Sequence, residues 1–282
     1  MSYNPDRINI HELTVEEPEK QTELPFDPER DLSNQDWEKM LTKLRSRIQN
    51  DRNARETGED RQFFYTRCVG LSLLAMNLKI LNPRVELDLD ENVWKEMRET
   101  LEAVKYNGDW QSFSEQAISI KILNPDIFAL DEVGRQCMKS ELERHRRART
   151  WEAFFIQAVQ VRIIDRDIDL KLDDGAWQRI RDQLEVNRKN EEWGEFALHA
   201  ANMKILDPYI DLGLDEVAWH GIQTKLDEYR KADSFFEKHA VAMKILAAEE
   251  VKVTEKGLEI NMRRPKAEID SGVSSVPETK QF

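Results

Sequence analysis

Cysteine, glycine and long apolar runs are all scarce in this 282-residue chain. The two cysteines, Cys68 and Cys137, are far apart and lack the spacing of metal ligands. That excludes a small disulfide-stapled domain and a zinc ribbon, and both read as reduced core or near-core thiols. Ten glycines leave no Gly-rich phosphate loop, and neither an HExxH motif nor a nucleophile elbow is present. No stretch approaches the roughly 20 apolar residues of a membrane helix. Residues 1–20 are polar and acidic with no apolar signal segment, so a cytoplasmic location is expected. Basic residues are outnumbered, 42 against 55 acids, for a net charge of −13. Such a balance argues against a general nucleic-acid binder, whose affinity comes from neutralising phosphates. The expectation is a protein with no catalytic, cofactor or metal site.

What the chain does contain is a repeat. Ala-x-x-x-Lys/Arg followed by two branched aliphatics recurs around Lys79, Lys121, Arg162, Lys204 and Lys244, at intervals of 42, 41, 42 and 40 residues. Each unit reads as two helices. The first opens on a capping residue, Ser33, Asp90, Asp131, Asp173 or Asp215, whose oxygen suits the free N–H groups of a first turn. Apolar residues then follow at helical spacing: Trp37, Met40, Leu44; Trp94, Met97, Leu101; Trp177, Ile180, Leu184; Trp219, Ile222, Leu226. The third unit departs, with Arg135 in the Trp position. The second helix repeats Trp110, Phe113, Ala117, Ile120 as Trp151, Phe154, Ala158, Val161 and as Trp193, Phe196, Ala200, Met203. A further apolar patch beside it (Ile118/Ile122, Val159/Ile163, Ala201/Ile205, Val241/Ile245) requires neighbours on two sides, as in a stack of hairpins. The acidic-aliphatic loops 85–89, 168–172 and 210–214 are expected to tuck their aliphatics between layers.

This register resembles helical-hairpin repeat proteins of the α-solenoid class, HEAT-like in period. The resemblance implies an all-α, right-handed α-solenoid of about five αα-hairpins over residues 32–248, divided near 32–83, 84–125, 126–166, 167–208 and 209–248. The first unit has a long charged connection over 49–60. Around it are expected a disordered acidic segment at 1–31, in which Ile8, Ile10, Leu13 and Val15 offer a short docking motif, and a β-hairpin cap at 249–262. A disordered tail is expected at 263–282.

Three features compete as binding surfaces. The cation row Lys79, Lys121, Arg162, Lys204, Lys244 is either a ladder for an acidic ligand or a set of helix-end complements with buried stems. The polar row Gln116, Gln157, His199, His239, with Ser119, Gln160 and Asn202 beside it, forms a stripe on the second helices, where a solenoid presents its concave face. The turns inside the hairpins are basic, most of all at Arg144, Arg146, Arg147 and Arg149, and the loops between hairpins are acidic. Stacking therefore predicts one basic and one acidic edge. Asp165, Asp167 and Asp169 fail as a calcium loop, since Leu170 and Ala176 stand where a glycine and a closing glutamate belong. The function expected is a scaffold or adaptor for a protein or peptide, an acidic one suiting the basic turns, in a monomer or small oligomer. RNA or another polyanion on the basic edge is the alternative, followed by a purely structural role. An enzyme on a helical toroid would need acids or histidines converging in a pocket.

Overall fold

A computed structural model of the chain describes residues 26–56, 61–232 and 234–262. They are mostly helical. The five hairpins are α2 (Asn34–Glu56) with α3 (Arg61–Leu81), α4 (Glu91–Tyr106) with α5 (Trp110–Leu123), α6 (Glu132–Ala148) with α7 (Trp151–Ile164), α8 (Asp174–Lys189) with α9 (Trp193–Leu206), and α10 (Glu216–Ala232) with α11 (Phe236–Ala247). A short α1 (Pro28–Asp31) precedes them, and an antiparallel pair β1 (Glu250–Thr254) and β2 (Gly257–Asn261) follows. The expected caps are made: Asp90, Asp131, Asp173 and Asp215 accept from the backbone N–H three residues on. The long connection expected at 49–60 is largely helix, because α2 runs to Glu56. The segment holds no glycine or proline before Gly58, and Gln49 donates to Asn53 one turn later. Of the segment 1–31 expected to be disordered, residues 26–31 are described, and they are ordered. Phe26 is buried, Asp27 caps α1, and Pro28 begins it, a position where a proline lacks nothing the helix needs. The docking motif at 8–15 and the tail at 263–282 lie outside the described residues.

The second helices form an inner layer, each packed against the next: α3 on α5, α5 on α7, α7 on α9, α9 on α11. The open solenoid expected from the repeat needs correction here, because α11 packs in turn on α3 and the row closes into a ring. The first helices lie outside it, α4, α6, α8 and α10 each against its own inner helix and the preceding one, and α2 against α3. One isoleucine recurs at the same register in every inner helix, Ile80, Ile122, Ile163, Ile205 and Ile245, half a turn from the face that meets the outer layer. All but the half-buried Ile122 are buried. An open row would leave the flanks of α3 and α11 in water, and closure covers both.

The cation row is a set of joints for this ring. Lys121 donates from Nζ to the carbonyl of Ile164 at 2.7 Å, and Lys204 to Leu246 and Ala248 at 2.9 and 2.6 Å. Lys244 closes the circle, donating to Ile80 and Leu81 at 2.8 and 3.0 Å. In each case an ammonium satisfies carbonyls that have no partner within their own helix end, where the dipole favours a cation. Lys79 and Arg162 instead reach carbonyls of their own connecting loops, at Val85 and Arg166. Burial pushes the pKa values of Lys121, Lys204 and Lys244 down.

The basic and acidic edges do not separate either. Near the end of each outer helix a cation pairs with the first turn of the next outer helix: Arg52 with Asp90, Lys105 with Asp131, Arg146 with Asp173, Arg188 with Asp215. Arg230, 3.5 Å from Asp36, completes the circuit across the seam, where Lys43 also meets Glu237 at 2.8 Å. The charge patterns read from the sequence are thus two halves of one inter-hairpin contact. Arg135, the departure from the Trp register, pairs with Asp165 at the end of α7.

The strand pair pairs Val251 with Ile260 and Val253 with Leu258 around a Glu255-Lys256 turn. It lies across the C-terminal ends of the inner helices, β2 against α5 and α7, β1 against α7 and α9, with Val251 fully buried. Gly257 has φ +107°, and a Cβ there would come within 3.3 Å of Ile122. Of the loop aliphatics, Leu87, Ile168 and Leu170 are buried and the rest pack against the core.

Two predictions follow from the ring. Lys244→Met should lower unfolding stability by about 2 kcal/mol, since it orphans two buried carbonyls at the seam. Lys79→Met, whose lost contact is a single one at 3.3 Å, should cost less. Urea unfolding that shows equal small losses would mean the seam does not depend on Lys244. Asp88, Lys171 and Gly213 occupy one loop register at φ 50°, 50° and 59°. Lys171→Gly should therefore raise stability by about 0.5–1 kcal/mol, the relief of left-handed strain net of glycine's entropy. A lower urea midpoint would count against that account.

Candidate functional site

The polar row expected on an exposed concave face lies instead inside the joints between hairpins. Gln116, Gln157, His199 and His239 are 0, 3, 7 and 5% exposed. Gln116 donates to the carbonyl of Met97, and Gln157 to Ser114 Oγ on the neighbouring inner helix at 2.8 Å. His239 donates from Nδ1 to the carbonyl of Phe235 and packs its ring 4.1 Å from that of Tyr229. The reason is the ring itself: a face that would be concave and open in a solenoid is flanked by two inner helices here. Of the basic cluster, Arg144 pairs with Glu141, Arg147 with Glu143 and Arg146 with Asp173. Arg149 is exposed, in left-handed backbone at the end of α6.

One of these residues, His199, borders a cleft that the sequence reading did not anticipate. A hollow of about 250 Å³ opens between α7, α8 and α9, lined by Trp151, Glu152, Phe155, Arg179, Ile180, Asp182, Gln183, Val186 and His199. Inner-layer packing is thinnest at this step of the ring, between α7 and α9. The repeat departs from its pattern at this step. In the fourth hairpin Trp193 lies flush on α10, where Gly221 leaves room; a Cβ there would sit 2.4 Å from the indole. Forty-two residues earlier the same pair is Trp151 and Arg179. The guanidinium of Arg179 stands 4.9 Å over the Trp151 ring centroid, and both residues line the cleft.

The floor of the cleft is apolar and aromatic. Phe155 and Ile180 are buried, and the Phe155 and His199 rings are near parallel with centroids 6.0 Å apart. Two of its polar groups, the Trp151 indole and the Arg179 guanidinium, can only donate. Trp151 Nε1 is buried with no hydrogen-bond partner among the described residues. Gln183 donates to Asn187 Oδ1 at 3.0 Å, and the Asn187 amide lies 2.8 Å from His199 Nδ1. The same nitrogen lies 3.1 Å from the carbonyl of Glu195, the contact that His239 makes with Phe235. Arg179 has no carboxylate partner among the described residues, whereas the rim acid Asp182 accepts from Gln178. Glu152 and Asp182 are both exposed on the rim. No three His, Cys, Asp or Glu side chains gather into a metal-holding group among the described residues. Of the aspartates that failed as a calcium loop, Asp165 and Asp169 accept from the backbone of Asp167 and Lys171. Comparison with protein-family models, with curated proteins and with solved structures finds no match.

The buried histidine of the last joint carries a pH prediction. Burial drives the pKa of His239 below its ordinary 6.5, and Lys238 and Lys225 add to the effect against the Phe235 carbonyl and Glu195. The folded state thus binds fewer protons than the unfolded one below about pH 6.5, and stability falls as pH drops through that range. In His239→Gln, which installs the residue found at 116 and 157, this loss should disappear. Urea midpoints measured from pH 7.5 to 5 should fall less steeply for the variant, and parallel curves would refute the assignment.

Proposed function

We propose that this protein is a non-enzymatic binding module that takes a peptide segment of a partner protein in the cleft between its third and fourth hairpins. The observation that carries the reading is the cleft itself: an aromatic floor with an exposed polar rim, opened by a local departure from the repeat. Such a hollow suits an apolar anchor side chain surrounded by polar contacts. Val186 and Ile156, large apolar residues that stay exposed, extend the apolar surface on α8 and α7. Arg149 lies two residues before Trp151, so the basic turn borders the same region and an acidic partner segment suits it. The hairpins are α-solenoid units by pattern, bent until their ends meet. A ring with no bare end supports a monomer rather than a filament. The free thiols of Cys68 and Cys137 suit a reducing, cytoplasmic compartment. Among the described residues no helix is long and apolar enough to cross a membrane.

Polyanion binding is the second reading. It draws on a shallow hollow of α6 bordered by Lys139, Arg144 and Arg147. The carboxylates already paired with Arg144 and Arg147 make it the weaker one.

Panning a library of random linear peptides against the protein tests the first reading. Enriched peptides should share an apolar anchor, and Val186→Arg, which fills the cleft mouth from an exposed position, should weaken them at least about tenfold, or about 1.4 kcal/mol. Circular dichroism would verify that the variant folds. Peptides that bind the variant equally well would remove the cleft from the proposal.

A further inference from the structure

The donors in the cleft restrict what the bound peptide presents. Trp151 Nε1–H is buried without an acceptor among the described residues, and the Arg179 guanidinium adds a cation with no carboxylate partner among them. A buried donor left without an acceptor is costly, so a ligand that fills this space must bring acceptor oxygens. A charged acceptor gains most, because hydrogen bonds to ionised groups are roughly twice as strong as neutral ones. The rim acids Glu152 and Asp182 set the opposite limit. They repel a ligand carrying several negative charges, which selects a single carboxylate over a phosphate chain.

The apolar floor lies in the same small volume as the donors. A carboxylate and an apolar side chain must therefore be presented from nearly one point. In an internal Asp-Leu or Glu-Leu sequence an extended backbone turns successive side chains to opposite sides. A C-terminal residue carries both groups on one Cα. On the reading of the cleft as a peptide site, we infer that the ligand is a peptide C-terminus. Its free α-carboxylate meets Trp151 and Arg179, and its last side chain is apolar and rests on Phe155 and Ile180.

Fluorescein-labelled Gly-Ser-Gly-Ser-Gly-Leu as the free acid, the same peptide as its C-terminal amide, and a free acid ending in Ser form the probe set, with binding read by fluorescence anisotropy on the full chain. The leucine free acid should bind at least about tenfold more tightly than the amide, the scale of one charge-assisted hydrogen-bonded contact, and more tightly than the serine acid. Arg179→Leu and Trp151→Phe, each checked for a cooperative urea transition, should erase most of the difference between acid and amide. Equal affinity of acid and amide, with Val186→Arg blocking both, would overturn the carboxylate inference while leaving the cleft as a peptide site. No saturable binding of any probe up to about 2 mM, weaker than about −4 kcal/mol, would overturn the inference outright. Peptides enriched in the panning but insensitive to Val186→Arg would instead overturn the cleft reading on which it rests.

Discussion

Each inner helix of this protein is apolar on three sides, and that constraint governs the rest of the molecule. One side is covered by the outer layer. The other two are covered only by further inner helices, so a row of any length has two wet flanks. Closing five hairpins into a ring removes both. Each buried Val or Ile contributes about 1.5–3 kcal/mol relative to exposure, so closure adds a real increment to the stability of the two end hairpins.

Polar groups do the joining. Lys121, Lys204 and Lys244 each satisfy carbonyls at the end of a neighbouring inner helix. The outer helices are linked by cation-to-cap pairs that run all the way round, the last between Arg230 and Asp36. These exposed pairs contribute little individually, and their value lies in fixing which hairpin follows which. The lysines differ, because they are more buried and bind groups with no other partner. A charge row that resembles a ligand ladder in sequence is therefore internal wiring, and the same holds for the Gln116, Gln157, His199, His239 row.

The candidate site arises where the regular joint fails. Gly221 lets Trp193 seat against the next outer helix, while at the equivalent step Arg179 stands over Trp151, whose buried Nε1–H has no partner among the described residues, beside an aromatic floor. At the other end of this same step β1 packs against both α7 and α9, and Arg166 meets Glu255 at 3.4 Å. The strand pair thus bridges the two hairpins below the cleft, so the gap is open at one end and tied at the other.

The sequence by itself determined the hairpins. Period, caps, two apolar faces and the C-terminal strand pair are local properties, set by spacing along one helix or one turn, and they were legible residue by residue. It also contained the cleft's signal, an Arg at 179 where the next repeat has Gly at 221, but that difference means nothing until one knows which side chain each position faces. Closure was decided only by the tertiary structure. It depends on the rotation from each hairpin to the next, summed over all five joints, and no single residue encodes that rotation. Once the rotations summed to a full turn, faces that would be open in a solenoid became joints. Basic and acidic edges met, and a cleft stayed open between the third and fourth hairpins, where the inner-layer packing is thinnest among the described residues.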